Sequence, residues 1–294
     1  MITHITRRHA FKKLLALGSS LSLISLFTRK TPAVASNDQP ALNMNETLET
    51  IHSMRTIHGD FNETDISDRD LETILYASVQ AANSSAMQTY SIIVVKNRDI
   101  IQKLTGYTGS RLLVYCVDYN RLKASASHLG HQYIPGDMTS FITGSTNTIL
   151  AAQTAVIAAK SLGIDSLLTN GIHRGDMQRV WDILELPNEH CYPLIALVLG
   201  YPNHEPEYRK GRLDGVGVIH HDKYHSLTTV DLEMINNAYN DKTKHLGLRD
   251  DWEAQGCKNY LDWLFSKWLG RNDRPAKEET KMFTFLKRSG FVEP

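Results

Sequence analysis

Cysteine is scarce in this sequence, and the placement of its three cysteines excludes several kinds of site. Cys116, Cys191 and Cys257 are odd in number and far apart among the 294 residues, and no C-x-x-C pair occurs. Iron–sulfur and structural zinc sites need clustered thiolates, so neither is supported. Because Cys116 and Cys191 fall in apolar, strand-like runs, we expect buried free thiols.

Several sequence signatures of common enzymes are missing as well. The G-x-G-x-x-G fingerprint of dinucleotide sites is absent, since Gly215-Val216-Gly217 is only a fragment of it. No P-loop, H-E-x-x-H or G-x-S-x-G sequence occurs. A Rossmann nicotinamide site, a P-loop nucleotide site, a zincin and an α/β-hydrolase are therefore unsupported.

The chain also lacks an excess of positive charge. Basic and acidic side chains number 32 each, but residues 1–35 contain six of the bases and no acid. The remaining chain is therefore acidic by six charges, which is a poor composition for binding nucleic acid. With 41% hydrophobic and 22% charged residues, the composition is that of an ordinary globular protein.

The first 35 residues have the three parts of an export signal. A basic stretch that includes Arg7 and Arg8 precedes an apolar run, 14–27, of 14 residues, whereas a span of the bilayer takes about 20. Small residues at 33–35 then suit a signal peptidase. The arginine pair resembles a twin-arginine signal. We expect the protein to be exported and to become periplasmic after cleavage near Ala35, with membrane contact only through this segment. An uncleaved anchor and a cytoplasmic location are the alternatives.

Hydrophobic periodicity divides the rest of the chain into helices and strands. We interpret residues 36–44 as a linker, 45–219 as the main domain and 220–294 as a helical extension. Helices are predicted over 45–54, 67–79, 146–162 and 176–184, and near 229–239, 251–269 and 277–288; strands are predicted over 90–95, 112–117, 164–168 and 192–199. So few strands favour an α+β fold over a long doubly wound sheet. The helix at 146–162 is apolar nearly all round, which predicts a central position or a subunit interface.

Three separated parts of the sequence carry side chains that suit flavin mononucleotide (FMN). The first is residues 54–61 and the second is residues 81–90. The third comprises residues 162–172, which include Asn170 and Gly171, together with residues 210–212. A phosphate dianion binds to fixed cations and hydroxyls. Arg55, Thr56, Lys210 and Arg212 supply them. Taken singly, each is better explained as part of a surface ion pair or a solvated loop.

The remaining candidates suit the flavin ring. Asn83, Ser84 and Ser85 are small and polar, so they allow a close approach and donate to the ring edge. Gln88 both donates and accepts, which matches a pyrimidine edge with alternating N–H and C=O groups. A reduced flavin gains negative charge on its pyrimidine, which His58 or a backbone N–H would stabilise.

In order and spacing, these segments resemble the nitroreductase family of flavin enzymes. Residues 54–61 approximate the family's opening R-R-S-x-R-x-F, and 82–90 approximate its P-S-S-x-N-x-Q-P-W turn into a strand. The long Ala-rich helix ends at 162–165, where the family has G-L-G. As in the family, a hydrophobic strand then ends in G-Y-P, at 200–202, and a K-x-R pair follows, at 210–212. The resemblance covers about residues 45–215.

The resemblance implies an FMN-containing α+β homodimer with a central, mainly antiparallel sheet flanked by helices. It implies that the flavin lies between the subunits and that both chains contribute to its pocket. Hydride would pass from a reduced donor such as NAD(P)H to an electron-poor acceptor, a nitroaromatic or a quinone, by a ping-pong mechanism. The cofactor carries the chemistry, so no side chain is assigned a catalytic role.

The chain departs from the family's motifs at several positions. Met54 replaces the first basic residue, which would leave Arg55 to bear the phosphate alone on that side. His58 stands where a Lys or Arg is usual, so charge there would depend on pH. Ala86 replaces an amide, and Asp165 replaces a glycine.

Two other functions stay open. One is a flavin-binding protein without turnover. The other is a metal-dependent hydrolase, whose candidate ligands are His128 and His131, or His220, His221 and His225. Solvated or structural histidines are the simpler explanation. The extension, with its tryptophans, is expected either to pack as core or to cover the substrate.

Overall fold

The computed structural model describes residues 43–270 and 281–292. From Met44 onward these residues belong to one compact unit, and that unit includes the helical extension. The predicted export signal and most of the predicted linker lie outside the described residues.

The centre of the fold is a four-stranded antiparallel sheet. Its strands are β1 (Tyr90–Val95), β2 (Arg111–Asp118), β3 (Asp165–Thr169) and β4 (Cys191–Gly200), arranged in the order β1-β2-β4-β3. Strand β2 is buried along nearly its whole length because helices cover both faces of the sheet. The predicted α+β fold with a mainly antiparallel sheet is confirmed.

The helices are α1 (Glu46–Ser53), α2 (Asp68–Val79), α3 (Arg98–Thr105), α4 (Asn120–His128), α5 (Met138–Ser161), α6 (Gln178–Leu184), α7 (Thr229–Asn240), α8 (Tyr260–Trp263) and α9 (Lys281–Arg288). Local chemistry sets where several of them begin. The side chains of Asn45, Ser67 and Asp137 each accept a backbone N–H in the first turn of the helix that follows.

The predicted helices differ from the observed ones in four places. The sequence analysis missed α3 and α4, and α5 begins at Met138 rather than at 146. The helix predicted over 251–269 is instead a 3-10 turn at Trp252–Gln255, then α8 and a π-turn at Leu264–Trp268. Gly256, at φ +74°, interrupts the helical path there because its left-handed conformation ends a helix.

Helix α5 is central, and it also presents an apolar stripe to the surface. Its small residues Ala151 and Ala155 are fully buried, and a Cβ on Gly144 would lie 2.5 Å from Val117 of β2. On the opposite side, a stripe of large side chains is between 41% and 59% exposed: Met138, Ile142, Ile149 and Leu150. Although α5 has 24 residues, no described helix is both long and apolar enough to cross a membrane.

The end of the chain packs into the core of the sheet. Phe291 is fully buried, and its ring lies 6.1 Å from that of Tyr119 and 5.4 Å from that of Phe141. A smaller, separate core is formed within the extension by Trp252 and Trp263 with their neighbours. All three cysteines are buried free thiols, as predicted.

Candidate functional site

A cleft of about 510 Å³ opens beside β3 and gathers many of the predicted residues. Its lining consists of Met54, Arg55, Thr56, His58, Pro206, Glu207, Tyr208, Arg209, Lys210, Arg212, Leu246, Gly247 and Leu248. Five of these were predicted as cofactor-binding: Arg55, Thr56, His58, Lys210 and Arg212. The two segments that supply them are about 150 residues apart in sequence, so the fold brings them together.

The first wall of the cleft is fixed by the edge of the sheet. Thr56 forms a parallel bridge with Ser166 of β3, and the Ile57 N–H donates to the Ser166 carbonyl at 3.0 Å. Ile57 is buried in the core, whereas Thr56 and His58 on either side of it are exposed. Successive side chains of an extended segment point to opposite sides, so these two polar side chains both point toward the cleft.

Arg55 does not stand alone in this wall. Its Nη2 donates to Asp165 Oδ2 at 2.7 Å and to Glu205 Oε1 at 3.0 Å, and its Nη1 donates to Glu205 Oε2. The bond to Glu205, together with the charge and hydrogen bond of Asp165, raises the pKa of Arg55 further above its ordinary value. The terminal nitrogens of Arg55 therefore already hold two carboxylates, and its binding of a phosphate without another base on that side stays a prediction.

Asp165 explains how the chain tolerates an acid where the family motif has glycine. Its side chain is 4% exposed and accepts a second charged bond, at 2.8 Å, from Lys160 at the end of α5. A buried carboxylate is tolerated when its charge is paired and hydrogen-bonded. The sequence analysis noted Asp165 as a departure but did not identify its two partners, which lie on separate segments.

The second wall carries Lys210 and Arg212, and their side chains rest on backbone carbonyls. Lys210 Nζ donates to Gly247 O at 2.6 Å, and Arg212 Nη1 donates to Gly211 O at 2.8 Å. A Cβ on Gly211 would lie 2.2 Å from the carbonyl oxygen of Lys244, so glycine is required where these chain segments cross.

Residues 244–248 form a strap across this second wall. The His245 ring stacks on Tyr208, with centroids 3.7 Å apart and planes at 11°, and the Gly211 N–H donates to the His245 carbonyl. The Leu248 N–H donates to the Tyr260 hydroxyl at 3.0 Å, which anchors the strap to the aromatic core of the extension. The extension thus contributes to the cleft, and sequence reasoning had not singled out Tyr208 or residues 246–248.

Apart from His58, the predicted ring-binding residues lie elsewhere on the chain. Asn83 and Ser84 line a separate groove against α5, and the Ser84 N–H donates to Asn147 of that helix at 2.9 Å. Ser85 and Gln88 belong to the same exposed turn, and both have positive φ angles, of 51° and 47°. A single chain therefore does not bring this turn into the cleft of Arg55 and Lys210.

Asn170 and Gly171 lie just beyond the end of β3 and do not line the cleft. Asn170 is exposed, whereas Gly171 is buried, and a Cβ on Gly171 would lie 2.7 Å from the carbonyl oxygen of Thr105. Gly171 is therefore needed for packing against the end of α3.

The histidine clusters do not assemble into a metal site in the part of the chain that the structure describes, where no three His, Cys, Asp or Glu side chains are grouped for a metal ion. The His225 N–H donates to His220 Nδ1, and the His220 ring lies 4.6 Å from that of Tyr224. These contacts are local to one exposed loop.

Comparison with known proteins gives concordant matches. The model of the nitroreductase family matches residues 51–201. The NADPH-flavin oxidoreductase of Vibrio harveyi is 30% identical over 208 residues, which are 66% of this chain and 81% of that protein. The FMN reductase (NADPH) of Bacillus subtilis strain 168 is 28% identical over 258 residues, or 84% of this chain and 99% of that protein. The solved structure of NfrA1 nitroreductase from B. subtilis has a TM-score of 0.70 at 25% identity, and the match covers 84% of this chain and 100% of that one.

The network around Asp165 yields a stability prediction. Asp165→Asn removes the charge that Arg55 and Lys160 share, so we expect the free energy of unfolding to fall by about 3 kcal/mol in urea denaturation, as when a buried ion pair loses one partner. Asp68→Asn is the matched control, because Asp68 pairs with Lys96 at the exposed surface and its loss should change little. Equal, small effects of the two substitutions would contradict the structural role of Asp165.

Proposed function

The chain belongs to the nitroreductase family, and from this premise we propose that the cleft beside β3 binds the phosphate end of FMN. The protein is an FMN-dependent oxidoreductase that passes hydride from a reduced donor to an electron-poor acceptor by a ping-pong mechanism. Bound FMN supplies the hydride-transfer chemistry itself. The residues of this chain bind the cofactor, orient it and tune the charge around it.

The residues of the cleft fit a phosphorylated ligand. The volume of the cleft falls within the range of roughly 300–1,000 Å³ that small-molecule sites occupy. Lys210, Arg212 and Arg209 bring positive charge to one side, and Arg55 and His58 face them from the other. Arg55 Nε is buried without a hydrogen-bond partner among the described residues, which leaves one donor still to be satisfied. The gathering of these basic groups in one cleft is the observation that carries the proposal.

We propose that two copies of the chain complete each site. The turn that contains Asn83 and Gln88 is remote from the cleft within one chain, yet its groove lies against α5, beside Ile142 and Leu150 of the exposed apolar stripe. Burying that stripe against a second copy would remove apolar surface from water and would bring one chain's turn toward its partner's surface. The ring-binding residues would then come from one copy and the phosphate-binding residues from the other.

We propose NADPH as the electron donor. The V. harveyi relative is an NADPH-flavin oxidoreductase and the B. subtilis relative is an FMN reductase (NADPH), and the second matches over 84% of this chain. A nitroaromatic or a quinone is the proposed class of acceptor.

We also propose that the protein is exported by a twin-arginine route. Support comes from the basic stretch, the apolar run of 14 residues and the small residues at 33–35, all within the first 35 residues. That route carries folded proteins, so a cofactor bound in the cytoplasm would travel with the chain. Because NADPH is a cytoplasmic metabolite, export conflicts with NADPH as the donor: either the protein stays in the cytoplasm, or another donor serves after translocation.

The phosphate site is tested by Arg212→Gln. Removing a charge-assisted bond to phosphate should weaken FMN binding by at least about tenfold. Riboflavin, which lacks the phosphate, should bind equally well to the variant and the wild type when flavin fluorescence is followed in a titration. Arg69→Gln, on the exposed side of α2, is the control for a general change in charge. Parallel losses of FMN and riboflavin affinity would place the phosphate elsewhere.

The two-copy site is tested by Ile149→Asp in the stripe of α5. A carboxylate in a buried apolar interface is strongly unfavourable, so we expect sedimentation equilibrium to give a monomer that no longer retains flavin. Met282→Asp, at another exposed apolar position, should leave the assembly intact. A monomeric wild-type chain that binds flavin with full affinity would refute the shared site.

The export route is tested by changing Arg7 and Arg8 together to lysine. The charge is preserved, but the paired guanidinium groups are lost, so we expect the protein to stay in the cytoplasm at its full length. Cell fractionation followed by mass spectrometry of the N-terminus measures both properties. Lys12→Arg keeps the pair and should leave export unchanged. A double variant that is found in the periplasm with its signal cleaved would exclude the twin-arginine route.

A further inference from the structure

We propose that Glu205 occupies, in the flavin-free chain, the position on Arg55 that the cofactor phosphate takes, and that loading of FMN exchanges one anion for the other. The proposal rests on the proposed function, since it names a residue that regulates binding at the same cleft. It assigns a role to a side chain that the sequence analysis did not select.

The pairing of Arg55 with Glu205 has the geometry of anion recognition. Nη1 donates to Oε2 and Nη2 donates to Oε1, so the two ends of the guanidinium meet the two oxygens of the carboxylate. A phosphate presents oxygens that accept the same pair of parallel bonds. Carboxylate and phosphate are therefore alternative ligands for one face of Arg55.

The two carboxylates on Arg55 differ in their surroundings. The Asp165 side chain is 4% exposed and is held by Lys160 as well, whereas the Glu205 side chain is 78% exposed. Releasing Asp165 would strand a charge in the protein interior, which is strongly unfavourable. Releasing Glu205 returns a carboxylate to water, and exposed ion pairs contribute little to stability. Glu205 is thus the partner that an incoming anion can displace.

Glu205 lies at the boundary of the cleft. The next residue, Pro206, lines the cleft, and so do Glu207 and Tyr208. Glu205 therefore belongs to the same segment that carries Lys210 and Arg212. Arg55 lowers the pKa of Glu205, so the carboxylate stays charged and competes with phosphate at neutral pH. This competition would be lost only as the pH falls through that lowered pKa.

The expected consequence is a cofactor that exchanges more readily than the number of basic residues suggests. Part of the phosphate's binding free energy is used to displace Glu205. A ligand without phosphate leaves Glu205 in place and is unaffected. Glu205 therefore narrows the difference in affinity between FMN and riboflavin.

The test is a flavin titration of Glu205→Gln beside Glu207→Gln. Glu207 also lines the cleft but does not hold Arg55, so its loss reports the general effect of removing a negative charge. With the full chain freed of flavin, we expect Glu205→Gln to lower the dissociation constant for FMN roughly fivefold, the scale of an exposed ion pair. Its riboflavin affinity should not change, and Glu207→Gln should shift the FMN affinity less than twofold, by the same reasoning about weakly coupled surface charges.

Three results would overturn the proposal. These are an unchanged or weaker FMN affinity of Glu205→Gln, an equal gain for Glu207→Gln, and an equal gain for riboflavin. Glu205→Asp has a shorter side chain that binds Arg55 less well, so it should give a partial gain in FMN affinity. Urea unfolding checks that each variant is folded. Failure of the wild type to bind either flavin would instead refute the proposed function, which separates the two outcomes.

Discussion

The buried carboxylate of Asp165 is the interaction on which the cleft depends. Asp165 is the first residue of β3, and its carboxylate is bonded to Arg55 at 2.7 Å and to Lys160 at 2.8 Å. A buried charge requires such partners, so the extended segment after α1, the end of α5 and the edge of the sheet are tied together at one point. With Arg55 fixed there, the first wall of the cleft has a rigid cation that does not have to be ordered when an anion arrives.

Much of the fold follows from local sequence patterns. Residues 92–95 are all apolar and β-branched, and the strand predicted over 90–95 has the bounds of β1 (Tyr90–Val95). Helix α3 was missed because it is short, although Asn97 caps its first turn and Gly106 ends it. The first two turns of α5 were missed because threonine and serine interrupt their apolar pattern, and burial against the sheet overrides that weak propensity.

The candidate site was only partly predictable for a different reason. Arg55, Thr56, His58, Lys210 and Arg212 stand in segments whose order and spacing resemble a family, so local motifs identify them. The contacts that modify them are not local: Arg55 meets Asp165 across 110 positions and Glu205 across 150. The strap of residues 244–248 likewise reaches the cleft only through the packing of the extension. No spacing rule predicts such pairs from one sequence.

The residues of the proposed site lie on different surfaces of a single chain, so the proposed function requires two copies of the chain. The most direct measurement is the visible absorption spectrum of the purified full chain before and after adding NADPH without oxygen. The account predicts a flavin spectrum that bleaches on adding NADPH and returns with a quinone or nitroaromatic acceptor. A colourless protein that gains no flavin absorbance after mixing with FMN and desalting would contradict it.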